Sequence, residues 1–345
     1  SELDIPVIAL TGSAGKTSTK DLVAGGIPGS WASPRSFNNE IGVPLTVLAT
    51  PADATVLVLE VGSRGPGHIA SLADAVRPDV SIVTNLGVAH LEMFGSTEVL
   101  ADSKYELIAM LDETGTAVVP ADEPRLRRGT PAHEITFGDS GADVAASDLE
   151  LDDEGFPSFR LRVGDYERRV SLSVAGAHQG RNAAAAVAAA IALDLDLDAF
   201  IDRMAVARGS AWRMDVHPGR YTVVNDAYNA NPQSMRSAID SVAAMSARRR
   251  IGVFGPMREL GPICEDAHRE IGAHAVASGF DRVLVVGPDH GYVLGAGDRT
   301  LNATGLSEAA DTLRAVVEPG DVVLVKASRA SGLERLAMDL AEDAA

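Results

Sequence analysis

Six short apolar runs, each followed by a turn and a helix-spaced pattern, recur along the chain at residues 7–11, 55–60, 80–85, 251–255, 283–287 and 322–326. Their apolarity is continuous rather than alternating, so both faces of each strand must be covered, which points to parallel sheets flanked by helices. At 345 residues the chain exceeds one ordinary core, and two domains are expected. The boundary falls between residues 210 and 211, inside a hinge-like segment at 207–213 (ARGSAWR). The expected class is α/β twice over: a parallel-sheet domain with a small β insert, then a second, Rossmann-like domain. The insert is the stretch 143–174, where FRLRV and RRVSLSV alternate and read as a hairpin. Apolar residues make up 46% but aromatics only 4%, so the interior must be built from Ala, Val, Leu and Ile.

Charge and cysteine usage narrow the function classes. Thirty Lys and Arg against 48 Asp and Glu leave a net charge of -18, a field that repels polyphosphate backbones, and nucleic acid is not an expected partner. The single cysteine, Cys264, cannot form an internal disulfide, which suits a reducing compartment. The alanine-rich stretch 183–193 is too short to span a bilayer, no basic-then-apolar leader is evident, and a cytoplasmic protein without a membrane partner is expected. That stretch reads instead as the helix closing the first domain. Asn231 and Pro232 read as the cap and first residue of a helix, and Leu333, Leu336, Ala337 and Leu340 share one face of the last helix.

The strongest chemical signal is Thr11-Gly12-Ser13-Ala14-Gly15-Lys16-Thr17, at the end of the first strand and the start of a helix. Glycines let the amides of Gly12, Ser13, Ala14 and Gly15 turn toward phosphate oxygens, and the helix N-terminus favours negative charge. Lys16 would neutralise β/γ-phosphate charge, and Thr17 would offer a hydroxyl to magnesium. Leu10 stands where the full motif has its first glycine. Glu60 ends the strand TVLVLE, so its carboxylate emerges at the carboxyl edge of the sheet, where a magnesium role is natural. His90 follows another buried strand and is either a structural histidine or a ligand. Lys104, taken alone, reads as an exposed lysine.

Together, TGSAGKTSTK (11–20), SFNNEIGVP (36–44), LEVGSRGPGHI (59–69), NLGVAHLEMFGS (85–96), NDAYNANPQSM (225–235), MRELG (257–261) and LVKASR (324–329) resemble the Mur ligase family. The resemblance covers nearly the whole chain in one order. FNNEIGVP and YNANP are similar to the branch that adds D-alanyl-D-alanine to a UDP-N-acetylmuramoyl tripeptide. The resemblance implies a central ATP-binding domain and a C-terminal domain that together form an ATP-dependent carboxylate-amine ligase. A substrate carboxylate takes the γ-phosphate to give an acyl phosphate, and an amine displaces phosphate through a tetrahedral intermediate. Two anions must be brought together, which calls for cations at the junction and exclusion of water by domain closure.

The resemblance also implies roles for individual residues. Lys16 and Thr17 bind phosphate and a first magnesium, with Glu60 as its carboxylate ligand. His90 coordinates a second magnesium, supported by a carbamoylated Lys104, whose carboxylate suits a hard cation as an amine does not. Asn182 meets adenine, and Arg213 and Asp226 meet the nucleotide. Asn38, Asn39, Tyr228, Asn229 and Asn231 fall near substrate, and Lys326 and Ser328 meet the incoming amine. His178 and His268 read as structural.

A full family member carries a further N-terminal domain that grips the UDP part of its substrate, whereas this sequence begins with Ser1 at the first strand of the ATP-binding domain. Pro256 and Pro120 depart from the family pattern, and GGIPGS (25–30) reads as cutting short the helix after the phosphate loop. Two substrate readings follow. The preferred one is a stand-alone paralogue joining a non-UDP acid, or an acyl group presented by a carrier or partner protein, to an amine in specialised peptide or antibiotic biosynthesis. The alternative is a truncated cell-wall ligase acting on UDP-muramoyl tripeptide. A non-catalytic ATP-binding scaffold is a third reading, disfavoured because Lys16, Glu60, His90 and Lys104 are all retained.

Overall fold

The computed structural model describes residues 4–74, 76–87, 94, 96–130, 132–288 and 290–345. The chain divides into two compact units, one of Ser1–Glu150, Pro157–Ser173 and His178–Ser210, the other of Leu151–Phe156, Val174–Ala177 and Ala211–Ala345.

The first unit contains β1 (Val7–Thr11), α1 (Lys16–Gly26), β2 (Trp31–Ala32), α2 (Gly42–Leu48), β3 (Leu57–Glu60), α3 (His68–Ala73), β4 (Val80–Val83) and α4 (Thr97–Ala109). It continues with β5 (Thr116–Pro120), β6 (His133–Gly138), β7 (Val144–Leu151), β8 (Pro157–Val163), β9 (Tyr166–Ser171), α5 (Gln179–Ala192) and α6 (Leu197–Ala205). Its sheet runs β2-β3-β1-β4-β5-β6-β7-β8-β9, parallel from β2 through β7 and antiparallel between β8 and β9. The alternating stretch expected as an insert does form a hairpin, pairing Ser158 with Ser171 through Val163 with Tyr166, but its strands extend the same sheet.

With few aromatics available, close packing falls to small side chains. Ala183 through Ala190, with Val187 among them, are all fully buried in α5. α1 ends inside GGIPGS as expected: Gly25 and Gly26 are its last two residues, and the chain leaves the helix at Ile27, ahead of Pro28. A Cβ on Gly26 would stand 2.3 Å from the Phe200 ring, and one on Gly25 would stand 2.4 Å from Ala207 Cβ. The two glycines thus also allow Phe200 of α6, and Ala207 just beyond it, to approach closely.

The second unit holds β10 (Asp215–His217), β11 (Thr222–Asn225), α7 (Pro232–Ala244), β12 (Arg250–Phe254), α8 (Cys264–Ala277), β13 (Arg282–Val286), α9 (Tyr292–Ala296), β14 (Thr300–Ala303), α10 (Leu306–Val316), β15 (Val322–Lys326) and α11 (Leu333–Ala344). Its sheet, β10-β11-β15-β12-β13-β14, is parallel except for the β10–β11 edge. Successive residues feed opposite cores: Val224, Phe254, Val283 and Leu324 join one cluster, and Val223, Val253, Leu284 and Val325 the other. Two covered faces are why these strands read as unbroken apolar runs. Asn231 caps α7 reciprocally with Ser234, and Leu333, Leu336, Ala337 and Leu340 are buried along α11. Among the described residues no helix is long and apolar enough to cross a membrane.

Candidate active site

In the first unit β1 lies between β3 and β4, all parallel, so three carboxyl ends open on one sheet edge. From β1 comes the loop 12–15, from β3 comes Glu60, and from the end of β4 come Thr84 and Asn85. That edge is where ligands of open α/β sheets bind.

The loop needs glycine at two places. Gly12 has φ 149°, and a Cβ there would sit 1.9 Å from Thr84 Oγ1. Gly15 caps α1 at φ 78°, and its Cβ would meet Asn182 Oδ1 at 2.7 Å. The amides of Ser13 and Ala14 both donate to Asn85 Oδ1, at 3.0 and 2.9 Å, while Thr84 Oγ1 donates to the Ala14 carbonyl at 2.6 Å. Sequence reasoning passed over Thr84 and Asn85, although their place directly after a buried strand beside the loop was a usable signal. Lys16 Nζ donates to the Gly12 carbonyl at 2.7 Å, folding its charge over the loop. Asn182, largely buried on α5, donates to Gln179 Oε1 at 2.9 Å and so sits beside Gly15.

Glu60 is 1% exposed, and its two carboxylate oxygens are separately held. Thr17 Oγ1 donates to Oε2 at 2.7 Å, and Asn38 Nδ2 donates to Oε1 at 2.7 Å. Ser36 Oγ lies 3.1 Å from Thr17 Oγ1, and the Glu60 amide donates to Ser33 Oγ at 3.1 Å. A buried carboxylate and hydroxyl at the mouth of a phosphate loop form a hard-oxygen donor set. This fits Mg2+, which takes one or two protein oxygens and completes its shell with phosphate and water. Asn39, expected near substrate, turns its Oδ1 to the amides of Gly42 (2.8 Å) and Ile41 (3.2 Å) at the start of α2.

Lys104 is not the exposed lysine that its local sequence suggests: on α4 it is 3% exposed, with Nζ 3.4 Å from Thr11 Oγ1. Burial, and then the nearby Lys16 charge, bring its ammonium down to about 7, against an opposing pull from Glu106. His90 lies outside the described residues. Among the described residues, no three His, Cys, Asp or Glu side chains cluster as a metal site.

In the second unit the family-implied residues gather around β11 and β15. Asp226 accepts from Lys326 Nζ at 2.6 Å through Oδ2 and from the Met214 amide at 3.1 Å through Oδ1. Lys326, almost fully buried, also donates to the Asn229 carbonyl at 2.9 Å, so its charge holds the 226–229 turn rather than standing open to an amine. Arg213 stacks over Tyr228 with its guanidinium carbon 4.2 Å from the ring centroid, and Arg329 lies 4.3 Å from the centroid of Trp212. Ser328 Oγ accepts from the Arg258 amide at 3.0 Å, and Asn231 Oδ1 is taken up by the helix cap at 2.8 Å. The hydroxyl and amide expected to meet substrate are therefore engaged with backbone. His268 is fully buried: Nε2 accepts from the Met257 amide at 2.9 Å and Nδ1 faces the Cys264 carbonyl at 2.6 Å. These two partners fix the neutral tautomer with the proton on Nδ1.

Comparison with known proteins bears on the whole arrangement. Residues 10–190 match the Mur ligase middle domain, and residues 212–329 match the Mur ligase, glutamate ligase domain. The chain belongs to the Mur ligase family. It is 38% identical over 378 aligned positions to the UDP-N-acetylmuramoyl-tripeptide--D-alanyl-D-alanine ligase of Mycobacterium tuberculosis H37Rv, covering 98% of this chain and 73% of that one. The same enzyme of Bacillus subtilis 168 is 32% identical, with coverage of 99% and 77%. Among solved structures, MurF ligase from Thermotoga maritima in complex with ADP superposes with a TM-score of 0.89 at 30% identity, covering 98% of this chain and 80% of that one. Mur ligases use ATP and Mg2+ and form an amide with release of ADP, and this Mur ligase is an ATP-dependent, ADP-forming amide ligase. The relatives are named for a UDP-linked tripeptide and a dipeptide. They support the cell-wall reading over the stand-alone paralogue, and they give no support to a carrier-borne acyl group.

Proposed function

We propose that this Mur ligase joins D-alanyl-D-alanine to a UDP-N-acetylmuramoyl tripeptide. The tripeptide carboxylate attacks the γ-phosphorus of ATP, the bond to the β,γ-bridging oxygen breaks, and ADP leaves behind an acyl phosphate. The dipeptide amine adds to the acyl carbon, loses a proton, and expels phosphate as the amide forms. Similarity to this one ligase along 98% of the chain supports the substrate pair. The buried Thr17–Glu60 pair beside the loop supports the chemistry and is the observation that carries it.

The protein's own residues have definable tasks in this reaction. Amides of the 12–15 loop and the N-terminus of α1 orient the phosphates, and Lys16 swings from the Gly12 carbonyl to a phosphate oxygen. Thr17 and Glu60 would hold Mg2+, which supplies charge neutralisation when bound. Asn38 and Ser36 keep the carboxylate and hydroxyl aimed at that position. A Lys104 ammonium brought down to about 7 spends much of its time as free amine near neutrality, which supports its capture of carbon dioxide as a carbamate. The ammonium first loses one proton, the free amine nitrogen forms a bond to the carbon of carbon dioxide, and a second proton leaves the nitrogen, so that the neutral amine becomes an anionic carbamate oxygen donor.

The deciding experiment measures ADP release by the 345-residue chain with UDP-muramoyl tripeptide, D-alanyl-D-alanine, both, or neither. Turnover that requires both is expected. Turnover with another acid-amine pair and none with this one would restore the paralogue reading. For the carbamate, Lys104→Ala should lose activity that added short-chain carboxylates partly restore, and a fully active Lys104→Ala would remove this lysine from the site.

A further inference from the structure

A second lysine on α1, four residues beyond the half-buried Lys16, is out of solvent. Lys20 is 3% exposed, yet it faces the interior rather than the loop mouth. Its Nζ donates to the carbonyls of Ser33 and Arg35, both at 2.8 Å, and lies 3.1 Å from Asp21 Oδ1. All three ammonium protons thus have an oxygen, and two of the three oxygens are main-chain carbonyls of one segment. Buried charges are costly unless fully partnered, so a cation kept here to grip two carbonyls has a local consequence for that segment.

The segment leads directly into the site. Arg35 takes a left-handed φ of 53°, and the chain turns there between the residue that Lys20 grips and Ser36. One residue on, Ser36 stands against Thr17; three residues on, Asn38 stands against Glu60. Ser33 serves both sides, with its carbonyl on Lys20 and its hydroxyl accepting from the Glu60 amide. We infer that Lys20 is a positioning residue for the magnesium site: by clamping residues 33–35 it sets where Ser36 and Asn38 hold the Thr17 hydroxyl and the Glu60 carboxylate. This rests on the reading of Thr17 and Glu60 as magnesium ligands.

The test reads magnesium dependence apart from turnover. In Lys20→Met, the Mg2+ concentration needed for half-maximal ADP binding, followed by titration calorimetry, should rise about 10-fold, as when supporting partners of metal ligands are removed. ADP affinity in the presence of EDTA should stay within about twofold, because the loop amides are untouched. Lys20→Arg should restore part of the magnesium affinity. Equal weakening with and without Mg2+, or no weakening at all, overturns the inference. Should Lys20→Met fail to fold, Ser36→Ala/Asn38→Ala decides: a similar magnesium shift supports the relay, and none overturns it. Glu60→Gln separates the two readings. If it leaves magnesium dependence unchanged, the ligand assignment itself fails; if it shifts it while Lys20→Met does not, only the role of Lys20 fails.

Discussion

At the scale of single residues, Glu60 and Lys104 show two routes to a buried ionisable group. Glu60 is a carboxylate at a sheet edge, which followed from its place at the end of an apolar strand; that it is buried and held by Thr17 and Asn38 did not. Glu60→Gln keeps the shape and removes the charge; kcat should fall about 100-fold or more, measured as ADP release at saturating Mg2+ and substrates. Lys104 gave no local sign of burial, because α4 turns it toward Thr11 only once the sheet exists. Its folded value of about 7 against an ordinary 10.5 has a definite sign. Below pH 7 both folded and unfolded chains carry the proton, and the buried charge opposes folding in full. Between pH 7 and 10.5 the unfolded chain holds more protons, so this group's contribution to stability rises with pH and levels off above that range. Urea midpoints at pH 7, 8 and 9 in carbon dioxide-free buffer should climb more in the wild type than in Lys104→Met. Parallel curves would show that Lys104 is not desolvated in this way. The same blindness to tertiary context hid Lys20, Ser33 and Ser36, whose partners lie on other elements.

At the scale of elements, small residues decide how helices meet the sheet. Alanine at an exposed helix position is favoured over glycine by about 1 kcal/mol. At Gly26 the added methyl would overlap the Phe200 ring, a contact too short to relieve without moving α6. Gly26→Ala should therefore destabilise by about 1–3 kcal/mol in urea unfolding, opposite in sign to its helix propensity. A stabilised variant would show that the two helices are free to separate. The glycine pair shows what a local rule leaves out: GGIPGS reads as a helix stop and α1 does end at Gly26, but the two glycines also serve an approach of neighbouring side chains that no local pattern encodes. The β hairpin shows the converse. Its alternation was legible, but that it extends the main sheet depends on β6 and β7 offering an edge.

At the scale of the whole molecule, a net charge of -18 surrounds a reaction between anions. Screening should therefore help substrate capture: raising ionic strength from about 10 to about 150 mM shortens the screening length from about 30 to about 8 Å and should lower KM for the proposed acid substrate, the UDP-linked tripeptide. A KM that rises with salt would mean that local cations, Lys16 foremost, outweigh the global field. The sequence by itself determined the α/β class, six of the buried strands, the Asn231 helix cap, the phosphate loop and the Mur ligase motifs, because these are written in short-range spacing and in which residues must avoid water. Tertiary structure decided the rest: Asn85 on the loop amides, Lys104 and Lys20 in the interior, and Lys326 turned to Asp226. Each of these depends on what a neighbouring strand or helix places within about 3 Å, the reach of a hydrogen bond, and no spacing along a single segment can state that.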